Sequence, residues 1–111
     1  MKRGEIWVAN LYPSFKSEIG KSRPVLVIQN QALLDAGHPS VMVMAITTQL
    51  RDNFEPMRVR VKKRGKLKKD SDIMIDQVWT LDTSRLKEGA IAKLTEKEMD
   101  KVVACLNDLV D

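Results

Sequence analysis

Apolar and polar residues alternate with a period of two over much of the first two thirds of the chain, which is typical of strands with one buried face. The segment "MRVRV" shows this alternation clearly, whereas "PVLVIQ" and "SVMVMAIT" are continuously apolar, as expected of strands buried on both faces. The segment "NQALLDAG" predicts one helical turn that ends at Gly37. The pattern predicts six strands, in "EIWVAN", "PVLVIQ", "SVMVMAIT", "MRVRV", "SDIMIDQV" and the weaker "GAIAKL".

The last part of the chain changes to helical periodicity. Thr95 and Glu98 match the S/T-x-x-E pattern of a capping box, and Leu94 and Met99 stand at the positions of a hydrophobic staple. Apolar residues then follow at helical spacing: Met99, Val102, Val103, Leu106, Leu109 and Val110. Six short strands and one amphipathic helix predict a mainly β (α+β) fold, a small and strongly bent antiparallel barrel or sandwich with the C-terminal helix packed on it.

Length and composition limit the organisation of the chain. Its 111 residues contain no repeat, low-complexity linker or shift in composition, so we expect a single domain over residues 1–111. Cys105 is the only cysteine, which excludes a disulfide within the chain and fits a reducing compartment. The sequence shows no signal peptide, and no apolar run approaches the roughly 18–20 residues of a membrane span. We therefore expect a soluble, cytoplasmic protein that has no membrane partner.

Positive charge is concentrated in one segment. The formal net charge is +4, and eight of the twelve residues from Arg58 to Lys69, "RVRVKKRGKLKK", are Lys or Arg. Without those eight, eleven basic residues remain against fifteen acidic ones, a net charge of −4. This basic tract indicates a polyanion or an acidic partner. The alternative is a solvated hairpin whose lysines only protect a sheet edge from aggregation.

The inventory of reactive side chains excludes several mechanisms. His38 is the only histidine and stands between turn formers, so a mechanism with paired histidines within the chain is impossible. The sequence contains no metal-binding or phosphate-loop motif, and "DSD" (Asp70 to Asp72) after a lysine run predicts a turn; we expect no metal and no cofactor. Arginine, carboxylate and hydroxyl groups remain, and they are compatible with RNA cleavage because RNA supplies its own nucleophile, the 2′-hydroxyl.

Four segments, taken together, resemble the MazF/PemK/Kid family of bacterial toxins: "KRGEIWVANLYP", "SEIGKSRPVLVIQN", "VMVMAITTQ" and "IMIDQVWTLD". The resemblance covers essentially the whole chain. It implies an SH3-like antiparallel β-barrel, a homodimer, and a ribosome-independent, sequence-specific endoribonuclease that cleaves single-stranded RNA without metal. The expected products carry a 2′,3′-cyclic phosphate and a 5′-hydroxyl. The family's usual partner is an acidic, MazE-like antitoxin whose disordered tail occupies the RNA groove, which would suit the basic tract.

The resemblance also implies roles for particular residues. Arg23 falls on the arginine that stabilises the pentacoordinate phosphate and protonates the leaving oxygen, and Thr47 falls on a hydrogen-bond donor to the scissile phosphate. Glu18 falls on a loop glutamate that acts as general base or contacts a base. The remaining expected RNA contacts are Phe15, Ser17, Gly20, Phe54, Pro56, Asp76 and Gln77, together with Lys62, Lys63 and Arg64 of the basic tract.

Two positions depart from the family pattern. Ile19 follows Glu18 where many relatives have glutamine, which leaves the cleaved sequence open. Met74 stands where some relatives have an arginine, which rules out the version of the mechanism that pairs an arginine with the strand aspartate.

Local sequence by itself also permits structural roles for the same residues. Arg23 could simply pair with Glu18 to close the loop, and Thr48 is as plausible a strand-end donor as Thr47. Asp76, inside an apolar strand, is expected to be a buried carboxylate that needs a partner.

Two alternative functions belong to related proteins. The resemblance extends to gyrase-poisoning toxins, which bind protein and cut nothing; they rely on a tryptophan in a C-terminal tail, whereas this chain ends "NDLVD". The other alternative is a catalytically inactive RNA-binding relative, against which the presence of both Arg23 and Thr47 argues.

Overall fold

A computed structural model describes residues 1–11 and 22–111 of the chain. Within these ranges it contains the six predicted strands, the predicted helical turn and the predicted terminal helix. In chain order the elements are β1 (Glu5–Asn10), β2 (Ser22–Val27), α1 (Gln31–Asp35), β3 (Ser40–Thr47), β4 (Arg58–Val61), β5 (Ser71–Asp82), a 3₁₀ turn (Thr83–Arg85), β6 (Leu86–Lys93) and α2 (Glu96–Val110). Neither helix of this part of the chain is long and apolar enough to cross a membrane.

The strands form one antiparallel sheet in the order β4-β5-β3-β2-β1-β6. The mainly β class is confirmed, but the sheet is not closed into a barrel, since β4 and β6 stand at opposite ends of the order. The two ends nevertheless approach each other, because the Lys66 amide, in the β4–β5 hairpin, donates to the Ile91 carbonyl of β6 (2.7 Å). Gly65 permits this approach: its φ is +53°, and a Cβ there would lie 2.7 Å from the same carbonyl oxygen.

Both faces of the sheet are packed, which explains the continuously apolar strands. Leu26 of β2 joins the cluster that α2 covers with Met99 and Val102, while its neighbours Val25 and Val27 belong to a second cluster on the opposite face. Strand β3 divides in the same way between the two clusters. Successive residues of a strand point to opposite faces, so a strand that supplies both cores cannot alternate in polarity.

The terminal helix begins as its sequence predicts. Thr95 Oγ1 accepts a hydrogen bond from the Glu98 amide (3.1 Å), and Glu98 Oε1 accepts one from the Thr95 amide (2.8 Å), so both halves of the capping box are present. Leu94 and Met99 are both buried. These local interactions fix the start of α2 and direct its apolar side onto the sheet.

The pairing of β3 with β5 contains an irregularity. Met44 pairs with Val78, and Ile46 pairs with Ile73, so two residue steps on β3 match five on β5. The extra residues bend β5 and carry Asp76 and its neighbours out of the regular ladder. Asp76 is therefore exposed, and the expectation that it is a buried carboxylate is wrong.

Candidate active site

Arg23 and Thr47 lie at the same end of two neighbouring strands. Val25 of β2 pairs with Ala45 of β3 in antiparallel register. Arg23 lies two residues before Val25, and Thr47 lies two residues after Ala45, so both lie at the same end of the two strands. Both side chains are half-buried. They line one cleft of about 500 Å³, which we call the Arg23–Thr47 cleft; its lining consists of Ser22, Arg23, Pro24, Ile46, Thr47, Thr48 and Gln49.

Local interactions restrict the backbone on either side of the cleft. Pro24 restricts Arg23 to extended conformations, and the strand continues directly into the fully buried Val25. Thr47 Oγ1 accepts a hydrogen bond from the Gln49 amide (3.1 Å), which orients the hydroxyl and leaves its hydrogen available to donate. Thr48 is exposed. Of the two threonines, Thr47 therefore has the better-fixed hydroxyl.

Gln77 lies close to the same arginine. It lines a smaller cleft of about 220 Å³ together with Arg23 and Met74, so the arginine stands between two depressions of the surface. The bend in β5 brings Gln77 there, and Asp76 beside it is exposed but does not line this cleft. Met74 also lines this cleft, so an arginine at its position would place a second cation beside Arg23.

The segment between β3 and β4 forms a larger depression. Its volume is about 690 Å³, and we call it the Phe54 cleft; its lining consists of Arg51, Asp52, Asn53, Phe54, Glu55, Arg58, Arg60 and Asp72. The Phe54 ring is exposed, and the Arg51 guanidinium carbon lies 5.5 Å from the ring centroid. An exposed ring beside a cation is a suitable platform for a nucleobase. Pro56 is half-buried and does not line the cleft.

Asp72 is a buried carboxylate that the sequence did not predict. It lies inside β5 and not in a turn, and its side chain is 1% exposed. It accepts hydrogen bonds from Arg60 Nε (2.5 Å) and from the Arg51 amide (2.8 Å), and it forms an ion pair with Arg58 (3.4 Å). Burial by itself raises the pKa of the Asp72 carboxyl, but these partners together outweigh it and hold the pKa below its ordinary value. The available signal was the alternation of arginines in "RVRV", which places two guanidinium groups on one face of β4.

The basic tract does form a hairpin between β4 and β5, and its members differ in their environment. Arg64 donates to both carboxylate oxygens of Glu98 in α2 (2.5 and 2.8 Å) and to the carbonyls of Lys62 and Lys93. The hydrogen bonds from Arg64 are the main cause that lowers the pKa of Glu98 to about 2. Lys62 and Lys63, by contrast, are exposed. The three basic residues expected to bind RNA therefore do not form one uniform group.

The other expected residues contribute less to the described site. Phe15, Ser17, Glu18 and Gly20 lie outside the described residues. His38 is exposed, as expected, and Cys105 is buried in α2, where burial raises the pKa of its thiol. Within the ranges that the structure covers, no three His, Cys, Asp or Glu side chains are grouped so that they could hold a metal ion.

The fold is that of a known class of bacterial proteins. Residues 2–110 match the family described as "PemK-like, MazF-like toxin of type II toxin-antitoxin system", and the chain belongs to this family. A curated relative, Endoribonuclease MazF of Staphylococcus saprophyticus, is 42% identical over 106 residues, which span 92% of this chain and 84% of that protein. The family resemblance drawn from the four sequence segments is thereby confirmed.

Solved structures show the same fold. Mycobacterium tuberculosis toxin MazF-mt6 superposes with a TM-score of 0.78 at 22% identity, covering 96% of each chain. MazE-MazF (Form-III) from Deinococcus radiodurans gives a TM-score of 0.75 at 19% identity, covering 99% of this chain and 95% of that one. The gyrase-poisoning alternative is not favoured by these comparisons, because the curated relative is named as an endoribonuclease.

Proposed function

We propose that this chain is the toxin of a bacterial type II toxin–antitoxin system and acts as a ribosome-independent, sequence-specific endoribonuclease on single-stranded RNA. The observation that carries the proposal is that Arg23 and Thr47 line one cleft. The chain that forms this cleft is 42% identical to a protein named Endoribonuclease MazF. The proposed reaction uses no metal or cofactor: the RNA 2′-hydroxyl is the nucleophile, and Arg23 supplies the positive charge that stabilises the phosphate.

In the proposed reaction the 2′-oxygen attacks the adjacent phosphorus and the bond from phosphorus to the 5′-oxygen breaks. The products are a 2′,3′-cyclic phosphate and a 5′-hydroxyl. Negative charge accumulates on the pentacoordinate phosphate, where the Arg23 guanidinium stabilises it with a fork of N–H donors. Thr47 donates its hydroxyl hydrogen to a non-bridging oxygen, since its lone pair already accepts from the Gln49 amide.

Two protons move in this reaction. The 2′-hydroxyl loses one as it attacks, and Glu18 is the proposed general base that accepts it. If another group accepts this proton, Glu18 instead contacts a nucleobase of the RNA. The departing 5′-oxygen gains one, and Arg23 is the cationic donor of the cleft that serves it. The RNA loses one proton to Glu18 and gains one from Arg23, so its own net change is zero. Solvent water then takes the proton from Glu18 and returns one to Arg23, which restores both groups for the next turnover.

The proposed RNA path runs along the edge of the sheet on both sides of Arg23. Phe54 stacks on a base, Pro56 flanks the strand, and Gln77 with Asp76 contacts base edges, while the exposed Lys62 and Lys63 hold phosphates. Arg64 contributes less than these lysines, because its guanidinium is engaged with Glu98. The other proposed RNA contacts are Phe15, Ser17 and Gly20.

We further propose that the chain is one domain, acts in the bacterial cytoplasm as a homodimer, and is inhibited by an acidic antitoxin that occupies the RNA path. Two observations support the antitoxin. A similar structure, from Mycobacterial species, is an endoribonuclease in complex with its cognate antitoxin. The lysines of the basic tract are exposed in the present chain.

The central experiment is to map cut sites on a long single-stranded RNA in EDTA and to identify the end groups. We expect sequence-specific cuts with cyclic phosphate ends. Abolition of cutting by EDTA would disprove the metal-free reaction.

Variants test the cleft itself. Arg23→Ala and Thr47→Ala should each lower the cleavage rate about 100-fold or more while the far-ultraviolet circular dichroism is unchanged. Thr48→Ala should cost much less than Thr47→Ala. Wild-type rates in folded Arg23→Ala and Thr47→Ala would place the active site elsewhere.

A further inference from the structure

Thr47 stands in a row with two charged residues across three strands. In the β3–β5 ladder Thr47 faces Asp72, and in the β4–β5 ladder Asp72 faces Arg60. Asp72 is almost fully buried and does not line the Arg23–Thr47 cleft. It lines the floor of the separate Phe54 cleft instead. Asp72 therefore has no direct path to a phosphate bound beside Thr47, and its effect on that phosphate must pass through other residues.

The two oxygens of this carboxylate hold different parts of the structure. Oδ1 accepts from Arg60 Nε, which anchors the carboxylate to β4. Oδ2 accepts from the Arg51 amide (2.8 Å) and faces Arg58 Nη1 (3.4 Å). The Arg51 amide belongs to the segment that follows Thr47. Oδ1 therefore fixes Asp72 to the sheet, and Oδ2 holds the segment that leaves the sheet after Thr47.

Arg58 extends this network to the hydroxyl of Thr47. The Nη1 atom that faces Asp72 also donates to the Gln49 carbonyl (3.2 Å), and the Gln49 amide donates to Thr47 Oγ1. A continuous chain of polar contacts thus runs from Asp72 through Arg58 and Gln49 to Thr47. The residues from 48 to 51 lie outside the strands, so no ladder hydrogen bonds hold them in place of this network.

We propose that Asp72, acting through Arg58, is a positioning residue that holds the segment from Thr47 to Arg51 and thereby aims the Thr47 hydroxyl at the scissile phosphate. This inference rests on the proposed function, because it requires Thr47 to contact the substrate. Asp72 does not contact the scissile phosphate, because it does not line the Arg23–Thr47 cleft. Its loss should therefore lower kcat and leave KM nearly unchanged, whereas a purely structural residue would lower stability and leave the activity of the folded protein intact.

Asp72→Asn is the first test, since it keeps the shape and removes the charge. We expect kcat on a short RNA containing the mapped cut site to fall about 10- to 100-fold, with KM within about twofold, at a temperature where circular dichroism shows full folding. Asp70→Asn is the matched control: Asp70 is exposed, lies two residues away, and loses the same charge. Equal kcat values for the two variants would overturn the inference.

A double-mutant cycle separates positioning of Thr47 from a general disturbance. If Asp72 acts through Thr47, then Asp72→Asn should cost little further activity in a Thr47→Ala background. Fully multiplicative losses would contradict the proposal. Should Asp72→Asn fail to fold, Arg58→Gln replaces it in the same cycle, because Asp72 then keeps Arg60 and the Arg51 amide as partners.

The outcomes distinguish this inference from the proposed function. If the wild-type protein does not cut RNA, or if Thr47→Ala cuts at the wild-type rate, the proposed function of the cleft fails and the inference fails with it. If Thr47→Ala is impaired while Asp72→Asn and Arg58→Gln keep the wild-type kcat, only the positioning role fails.

Discussion

The arginines and the lysines of the basic tract have different environments although they lie in one short segment. Each arginine is paired with a carboxylate: Arg58 with Asp72, Arg60 with Asp72 and Asp52, and Arg64 with Glu98. The lysines are all exposed, and none of them forms an ion pair with another residue that the structure describes; they are Lys62, Lys63, Lys66, Lys68 and Lys69. One run of positive charge therefore contains two populations.

The difference follows from the chemistry of the two side chains. A guanidinium presents several donors in a planar fork and is weakly hydrated, so it can be held against a carboxylate at a partly buried site, as Arg58 is against Asp72. An ammonium group is strongly hydrated and remains in water on a flexible stem. We infer that the arginines stabilise the fold and that the lysines provide the field that attracts a polyanion.

The largest effect should come from removing the shared partner of two arginines. Asp72→Ala leaves Arg58 and Arg60 without their buried carboxylate, and we expect the free energy of unfolding in urea to fall by about 2–3 kcal/mol; the exposed part of Arg60 remains hydrated, which limits the loss. Asp70→Ala should cost about 1 kcal/mol at most, because it loses only the hydrogen bond that the Lys63 amide donates to Asp70. Equal stabilities of the two variants would contradict the inference that the arginines stabilise the fold through Asp72.

The next effect concerns the lysines and RNA. Lys62→Gln combined with Lys63→Gln should weaken binding of single-stranded RNA about tenfold at low salt and reduce the slope of log K against log salt concentration by about 1.4, if each lysine meets one phosphate. Stability should not change. The control is Lys87→Gln with Lys97→Gln, two exposed lysines elsewhere in the described chain. An unchanged slope in the first variant would mean that these lysines do not contact RNA.

A smaller effect on stability should come from the ion pair of Arg64 with Glu98, and it should depend on pH. The pKa of Glu98 falls from 4.5 to about 2 in the folded protein, so its contribution is complete above about pH 4.5 and is lost as the pH falls towards 2. Glu98→Gln keeps a capping-box residue but removes the charge. We expect it to cost about 1 kcal/mol at pH 7, since the pair is partly exposed, and the difference from the wild type to shrink towards pH 2. A difference that is constant with pH would show that the charge is not responsible.

The smallest effect should be that of the remaining lysines on stability. Replacing Lys66, Lys68 and Lys69 together by Gln should leave the free energy of unfolding within about 0.5 kcal/mol of the wild type in urea titrations. These side chains lie in water, and loss of their mutual repulsion would even slightly favour folding. A loss above about 1 kcal/mol would show that lysines, like the arginines, hold the hairpin.

The candidate site was only partly predictable from the sequence. Arg23 and Thr47 were named through the family resemblance, and the structure places them on one cleft. Asp72 was assigned to a turn and Asp76 to the interior, and the structure reverses both assignments. The cause is the irregular pairing of β5 with β3, because a few extra residues in one strand change which side chains face the core.

The strands, the helices and the start of the terminal helix could all be predicted from local sequence. Alternation and apolar runs record which side chains of a strand are buried, and the Thr95–Glu98 capping box joins residues three apart, so a short stretch of sequence is enough to recognise each of them. The tertiary structure alone decided that the sheet stays open, that Asp72 is the buried carboxylate and that the arginines of the basic tract are paired. These features depend on strand register and on partners far apart in the chain, such as Glu98 for Arg64, and no local pattern specifies which distant residues will meet.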